Sequence, residues 1–357
     1  MQSLFNIINK PFGYVLMFLA KLFNGNFAAS VFVFTLLINL ILIPLSIKSQ
    51  KSSVSQMRIK PKLDELKKKY GDDRKRMAQE QQKLYQQEGV SMSGGCLPMI
   101  IRMVLLLSIY WLIMSPLTYM AGADQTKVDN VGNGINTALE AIKEKSEDDY
   151  DATVKRLSWA NKSNYQLSLI KIIKDGVDLK DVITEDVIIE EGSSEKGILR
   201  TDYEKIMADY DYVVEKYNDA GINFDLFGID LTTKPDFSFD IFNKWEAIWL
   251  LPIMAFLAQM LTSIVSMRIN KRVNPDAPTM AGMLLFMPVI SLIIGFNFPG
   301  GVCFYWICSS LIGGAIQSAI QILYGPHKLL ARDREKELAK VCDFEAGQQK
   351  KFETETE

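Results

Sequence analysis

The sequence predicts an all-α integral membrane protein: a core of five transmembrane helices, a helical hairpin in the cytoplasm and a mainly helical extracytoplasmic insert. Three observations carry this. Apolar residues gather in five runs, and a bilayer crossing needs about 20 such residues. The first two runs flank a segment with helix-spaced apolar residues. Basic and acidic residues occupy different loops, which fixes an orientation.

The runs place transmembrane helices at 28–47, 96–121, 242–266, 280–298 and 302–324, the last two separated by Pro299-Gly300-Gly301 and so folded as a tight hairpin. Residues 1–27 contain an apolar stretch of about a dozen residues, Phe12–Phe23, interrupted by Lys21 and too short to span. No small-x-small cleavage site follows it, so an interfacial amphipathic helix fits better than a signal peptide.

Residues 48–95 hold about twice as many basic as acidic residues, centred on Lys67, Lys68, Lys69, Arg74, Lys75 and Arg76. The loop 267–279 adds Arg268, Lys271 and Arg272, whereas 122–241 carries nearly two acidic residues for each basic one. Positive loops stay in the cytoplasm. The N-terminus is therefore expected outside, the insert 122–241 outside, and the tail 325–357 in the cytoplasm of a multi-pass cell-membrane protein. Trp245 and Trp249 are expected as interfacial anchors of the third span.

In the hairpin, Ile59, Leu63, Leu66 and Tyr70 recur at the spacing of one helix face. Pro61 is read in the first turn of that arm, where its missing N–H costs little. Gly71 ends the arm, and Asp72 or Asp73 caps the next. The second arm is mostly polar, with only Met77, Leu84 and Tyr85 as an apolar strip, so the pair is expected to be thinly packed. Such a basic arm beside a membrane suits anionic lipid head groups or ribosomal RNA; a charged helix pair without a partner is the bland alternative. In the insert, helices are expected over 135–145, 151–159, 167–174 and 202–218, with Thr201 and Glu204 as a capping box and Gly221 after the last helix. A short strand or hairpin arm is expected within 181–190.

Cys96, Cys303, Cys308 and Cys342 show no CxxC pairing, and His327 stands without carboxylate or cysteine neighbours in sequence. No disulfide, metal site or cofactor is expected, and no hydrolase or P-loop pattern argues for an enzyme.

The functional expectation rests on polar residues inside the runs. Thr35, Asn39 and Ser46 share a helix face in the first. Gln259, Thr262, Ser263 and Ser266 share one in the third, and Ser310, Gln317 and Gln321 in the fifth. Arg102 places a full charge in the second. By orientation all four lie toward the cytoplasm, which suggests a wet cavity that stops partway across. Ser, Thr and Gln also serve as plain packing contacts between membrane helices, and an arginine this near an interface can snorkel to it.

Four motifs in order resemble the YidC/Oxa/Alb family of membrane protein insertases. They are Ile59-Lys60-Pro61-Lys62-Leu63-Asp64-Glu65-Leu66-Lys67 with Tyr70-Gly71-Asp72-Asp73; Gly94-Gly95-Cys96-Leu97-Pro98-Met99; Asp225-Leu226-Phe227-Gly228-Ile229-Asp230-Leu231 followed by Leu251-Pro252-Ile253; and Asn297-Phe298-Pro299-Gly300-Gly301 with Tyr305-Trp306. The likeness covers roughly 28–121 and 222–325. It implies an insertase and chaperone working without ATP or cofactor. In that family a polar groove receives the hydrophilic part of a nascent membrane protein while the apolar part slides into lipid. Tyr305 and Trp306 join the groove by this likeness, and ribosomes and the Sec translocon are the implied partners. The chain departs from the family pattern at two groove positions: Asn39 stands where arginine is usual, and Arg102 where glutamine is. The insert 122–222 is outside the family core, and the tail is mixed in charge. The competing readings are a transporter or channel for a small anionic solute, and a scaffold recruiting partners through the insert.

Overall fold

The computed structural model describes residues 2–71, 73–90, 97–157, 159, 165–191, 196–235, 246–273, 281–325, 328–329, 331, 335, 338–339 and 341–345. The described chain is mostly helical. Among the described residues two helices are long and apolar enough to cross a membrane, Ala247–Arg272 and Gly300–Leu323. A third span results if the bent pair Phe27–Ile41 and Ile43–Tyr70 counts as one broken helix.

The helices are α1 (Gln2–Leu22), α2 (Phe27–Ile41), α3 (Ile43–Tyr70), α4 (Arg74–Gln87), α5 (Leu97–Met114) and α6 (Pro116–Tyr119). They continue with α7 (Gln125–Lys145), α8 (Glu147–Leu157), α9 (Tyr165–Lys174), α10 (Arg200–Ala220), α11 (Leu250–Val273), α12 (Ala281–Gly295) and α13 (Gly300–Leu323). Among the described residues, two strand pairs complete the fold. Strand β1 (Ile188–Ile189) runs parallel to β2 (Ile198–Leu199), and β3 (Asp225–Leu226) antiparallel to β4 (Ile229–Asp230).

The chain divides into two compact units: residues 1–37, 104–258 and 288–309 form the first, and residues 38–103, 259–287 and 310–357 the second. The first holds the insert. Its helices α7 and α10 bury Val128, Val131, Ile135, Ala138, Ile206 and Val213 between them. Gln166 of α9 reaches Thr118 of α6, donating from Nε2 to the hydroxyl at 2.9 Å. The Lys174 ammonium pairs with Asp230 at 2.5 Å. Burial pushes the Asp230 carboxyl up, but Lys174 and two hydrogen bonds from Thr232 outweigh it and hold the group below the usual carboxylate range.

The β3–β4 hairpin is stitched on both sides within this unit. Asn223 donates its N–H to the Gly25 carbonyl, and its own carbonyl accepts from Phe27, at the start of α2. Gly300 and Gly301, at the start of α13, donate to Thr233 and Leu231. Gly25 has φ +82°, and a Cβ there would lie 2.1 Å from the Gly221 carbonyl oxygen, so only glycine fits this stitch.

The second unit contains the hairpin of α3 and α4. Val54 and Ile59 are buried, whereas Leu63, Leu66, Tyr70, Met77, Leu84 and Tyr85 are half-buried. Asp73 caps α4 by accepting from the Arg76 N–H at 3.0 Å. Glu88 closes the pair by accepting from Lys62, with Arg58 at 3.6 Å.

Four local expectations are corrected. The first helix breaks at Leu42, with a 49° bend, because Pro44 cannot donate and the helix restarts around it. One helix then runs through residue 47 into the hairpin, so Pro61 lies inside α3 rather than in a first turn. Thr201 does not cap α10: the N-cap is Leu199, whose backbone ends β2. Trp249 is 2% exposed and stands edge-on to Phe296, so it packs the protein interior instead of facing lipid; Trp245 lies outside the described residues.

Candidate functional site

Polar helix faces converge in the second unit around α13. Ser310, Gly314, Gln317 and Gln321 fall at i, i+4, i+7 and i+11, one face of that helix. A Cβ added at Gly314 would come within 2.4 Å of Thr262 Cγ2, so α11 approaches α13 with no room for a side chain. Two turns on, the Gln321 amide donates to the Ser266 hydroxyl at 3.4 Å. The polar stripe of α11 therefore meets the polar stripe of α13. On the adjoining face a Cβ at Gly313 would stand 3.2 Å from Asn39 Oδ1, which brings the end of α2 against the same helix. Two consecutive glycines thus let two helices close on α13.

The roles within this cluster differ. Gln321 is buried, and the Thr262 hydroxyl donates to the Gln259 carbonyl at 2.9 Å, so Thr262, Ser266 and Gln321 form a helix-packing seam. Asn39, Gln259, Ser263, Ser310 and Gln317 are half-buried, with part of each side chain at the unit's surface. Lys51 of α3 lies 5.5 Å from the centre of the Tyr324 ring, a cation–π distance at the end of α13.

The remaining sequence-predicted residues distribute as follows. Arg102 sits in α5, and its side chain lies outside the described residues, as does that of Arg74. Thr35, Tyr305 and Trp306 belong to the first unit. Thr35 is buried and its hydroxyl donates to the Val31 carbonyl at 2.6 Å, bonding back onto its own helix. Tyr305 is buried, and Trp306 stands edge-on to Phe298 at 5.7 Å. In the hairpin, Lys67, Lys68, Lys69, Lys75 and Arg76 are all exposed. Lys67 and Arg76 make only loose pairs, with Asp64 at 4.0 Å and Asp73 at 3.8 Å. Sequence reasoning missed the Gly313-Gly314 pair; two adjacent glycines inside an apolar run were the available signal.

These features define a class: a helical membrane protein with polar faces gathered at one end of its apolar helices and a basic arm beside them. A family profile described as 60Kd inner membrane protein matches residues 18–162 and 206–325, and the chain belongs to that family. The resemblance read from the four motifs is thereby borne out. The chain is 43% identical over 108 residues to the membrane protein insertase YidC of Haemophilus ducreyi, covering 30% of this chain and 20% of that one. It is 41% identical over 92 residues to that of Cellvibrio japonicus, covering 26% and 17%. With that of Alkalihalophilus pseudofirmus it shares 40% over 111 residues, covering 29% and 44%. The matched stretch spans less than half the length of each of these relatives.

Proposed function

We propose that the chain is a membrane protein insertase that passes polar segments of nascent membrane proteins through a groove open to cytoplasm and lipid. The observation that carries this is the gathering of Asn39, Gln259, Ser263, Ser310 and Gln317 around the α11–α13 seam in a chain of this family. A wet recess reaching partway into the bilayer shortens the apolar distance a polar tail must cross, and each unpaired polar group left in hydrocarbon costs several kcal/mol. The relatives' names speak for insertion over solute transport or scaffolding.

In this reading α2 with the start of α3, α5 with α6, α11, α12 and α13 make five spans, α1 lies in the outer interface, and the basic hairpin and tail are cytoplasmic. Arg102 supplies the groove's positive charge. The exposed lysines and arginines of the hairpin meet anionic lipid or the ribosome, and a Sec translocon is a further partner. The test is reconstitution of the purified protein into liposomes with a small single-span client, scored by protease-protected insertion. Protection no greater than in protein-free liposomes sinks the proposal.

A further inference from the structure

Residue 227 is unusual twice over. It is a phenylalanine with 98% of its surface exposed, and its backbone has φ +52°. Phe227 and Gly228 (φ +84°) form the two-residue loop between β3 and β4, and Leu226 pairs with Ile229. Positive φ at both central positions is the geometry in which asparagine or aspartate followed by glycine is preferred. Phenylalanine has no local hydrogen bond to offer there, and its Cβ opposes the left-handed backbone. The turn is nonetheless held firmly, because the Asp225 carboxylate accepts from the Gly228 N–H at 2.9 Å. Folding of the hairpin gains nothing from this ring, and water gains nothing from its exposure. Backbone strain kept at such a position points to a use outside the fold.

The position of the hairpin identifies what the ring meets. Its stem is tied through Asn223 to Gly25 and Phe27 at the start of α2, and through Leu231 and Thr233 to Gly301 and Gly300 at the start of α13. Strand β4 also packs on Ala247–Trp249, where the apolar helix Ala247–Arg272 begins. Three apolar helices begin beside the stem of this hairpin, so the hairpin lies at the end of the apolar helices from which they start. The turn held to its stem, Asn24 and Gly25, ends α1, whose Ile7, Tyr14, Phe18 and Leu22 are also exposed. From Leu226 to Ile229 the tip carries no charge.

We propose that Phe227 is a lipid anchor: a rigid aromatic finger that inserts into the bilayer at the interface where α2, α11 and α13 begin. Phenylalanine, with tryptophan and leucine, is a residue that interfacial segments bury at the boundary of headgroups and acyl chains, and the clamped turn presents this ring without further ordering. The proposal needs only that the chain sits in a membrane, so it stands or falls separately from the insertase reading.

The test places an environment-sensitive fluorophore on Phe227→Cys, with alanine replacing Cys96, Cys303, Cys308 and Cys342. The protein is reconstituted into phosphatidylethanolamine–phosphatidylglycerol liposomes. Lys205→Cys, exposed on α10, serves as the aqueous control. The label at 227 should emit to the blue of the control. Lipid bearing a nitroxide near its headgroup should quench it several-fold more strongly than the control, and iodide should quench it less. Lipid contact is read in either orientation of the reconstituted protein. Water-like emission with iodide quenching equal to the control overturns the proposal, including in favour of a protein partner. Phe227→Asn in the otherwise native chain guards against a purely structural role: its melting temperature in detergent should be unchanged or higher. Unfolding of that variant would also overturn the proposal.

Discussion

Gly314 faces Thr262 across a gap that leaves no space for a methyl group. Gly314→Ala must push α11 away from α13 or bend both, and overpacking of this kind costs about 1–3 kcal/mol. The tightest clash is with Cγ2 at 2.4 Å, which Thr262→Ser removes while keeping the hydroxyl, and Cβ at 2.8 Å remains. Thermal unfolding in detergent should show the single glycine substitution lowering the midpoint and the double variant recovering part of it. Equal losses in both would mean the two helices are not in register at this point. Arg102 belongs to the same scale. In the proposed groove, Arg102→Ala impairs clients with acidic external tails most, and Arg102→Lys is tolerated better. Asn39→Arg combined with Arg102→Gln restores insertion. Unchanged insertion rates for every client in the single variants would remove Arg102 from the groove.

At the scale of the element, the α3–α4 hairpin is closed by Glu88 rather than by a core. Its hydrogen bond from Lys62, first, and the nearby positive charge of Lys62 and Arg58 hold the carboxyl below its ordinary value. A depressed carboxylate stabilises above its unfolded pKa, about 4.3, and loses that contribution as pH falls through the lower folded value. Protection of the α4 amides, taken relative to their intrinsic exchange rates at each pH, should therefore fall as the pH is taken below about 4.3, with Glu88→Gln showing the low protection across the whole range. A wild-type exchange profile in the variant would show that the arms are held elsewhere. Val54 and Ile59 are buried, so a deletion meant to spare the membrane core must begin after them. Replacing residues 61–88 with a short linker should leave the protein monodisperse in detergent while insertion falls.

The same elements show what could be read beforehand. Helix-spaced apolar residues in α3 and the left-handed Gly221 after α10 are local signals, and both are where the sequence pattern puts them. Thr201 and Glu204 have the right spacing for a capping box, yet pairing of Leu199 with Ile189 decides where α10 starts. Pro44 could be seen, but the bend it helps make depends on how α2 and α3 pack. The α11–α13 seam was legible as two stripes. That Thr262 and Ser266 would meet Gly314 and Gln321 was not, because which stripes face each other is a tertiary choice.

For the whole molecule, the insert and the rest of the first unit share hydrogen bonds, through Gln166 with Thr118 and Lys174 with Asp230. The family profile leaves out only residues 163–205 between its two matched stretches, so α7, α8 and most of α10 fall within it. Joining residue 122 to 222 by a Gly/Ser linker should lower the melting temperature, since Thr118 and Asp230 lose these partners. Insertion of simple clients should persist, because the residues proposed for the groove around the α11–α13 seam belong to the other unit. Loss of all insertion with normal membrane integration would make the insert part of the mechanism.

The bend at Leu42 has a mechanical consequence. Beyond it α3 runs for 28 residues, roughly 42 Å at the helical rise, from a point inside the expected span to the tip of the basic arm. A load applied near Tyr70 acts on a long lever whose short end lies among the apolar helices and whose fulcrum is the break before Pro44. Pro61 removes one rung of the ladder partway along and so makes a compliant joint there. Flexing at that joint would absorb part of any displacement of the tip before it reached the helix segment beside Asn39.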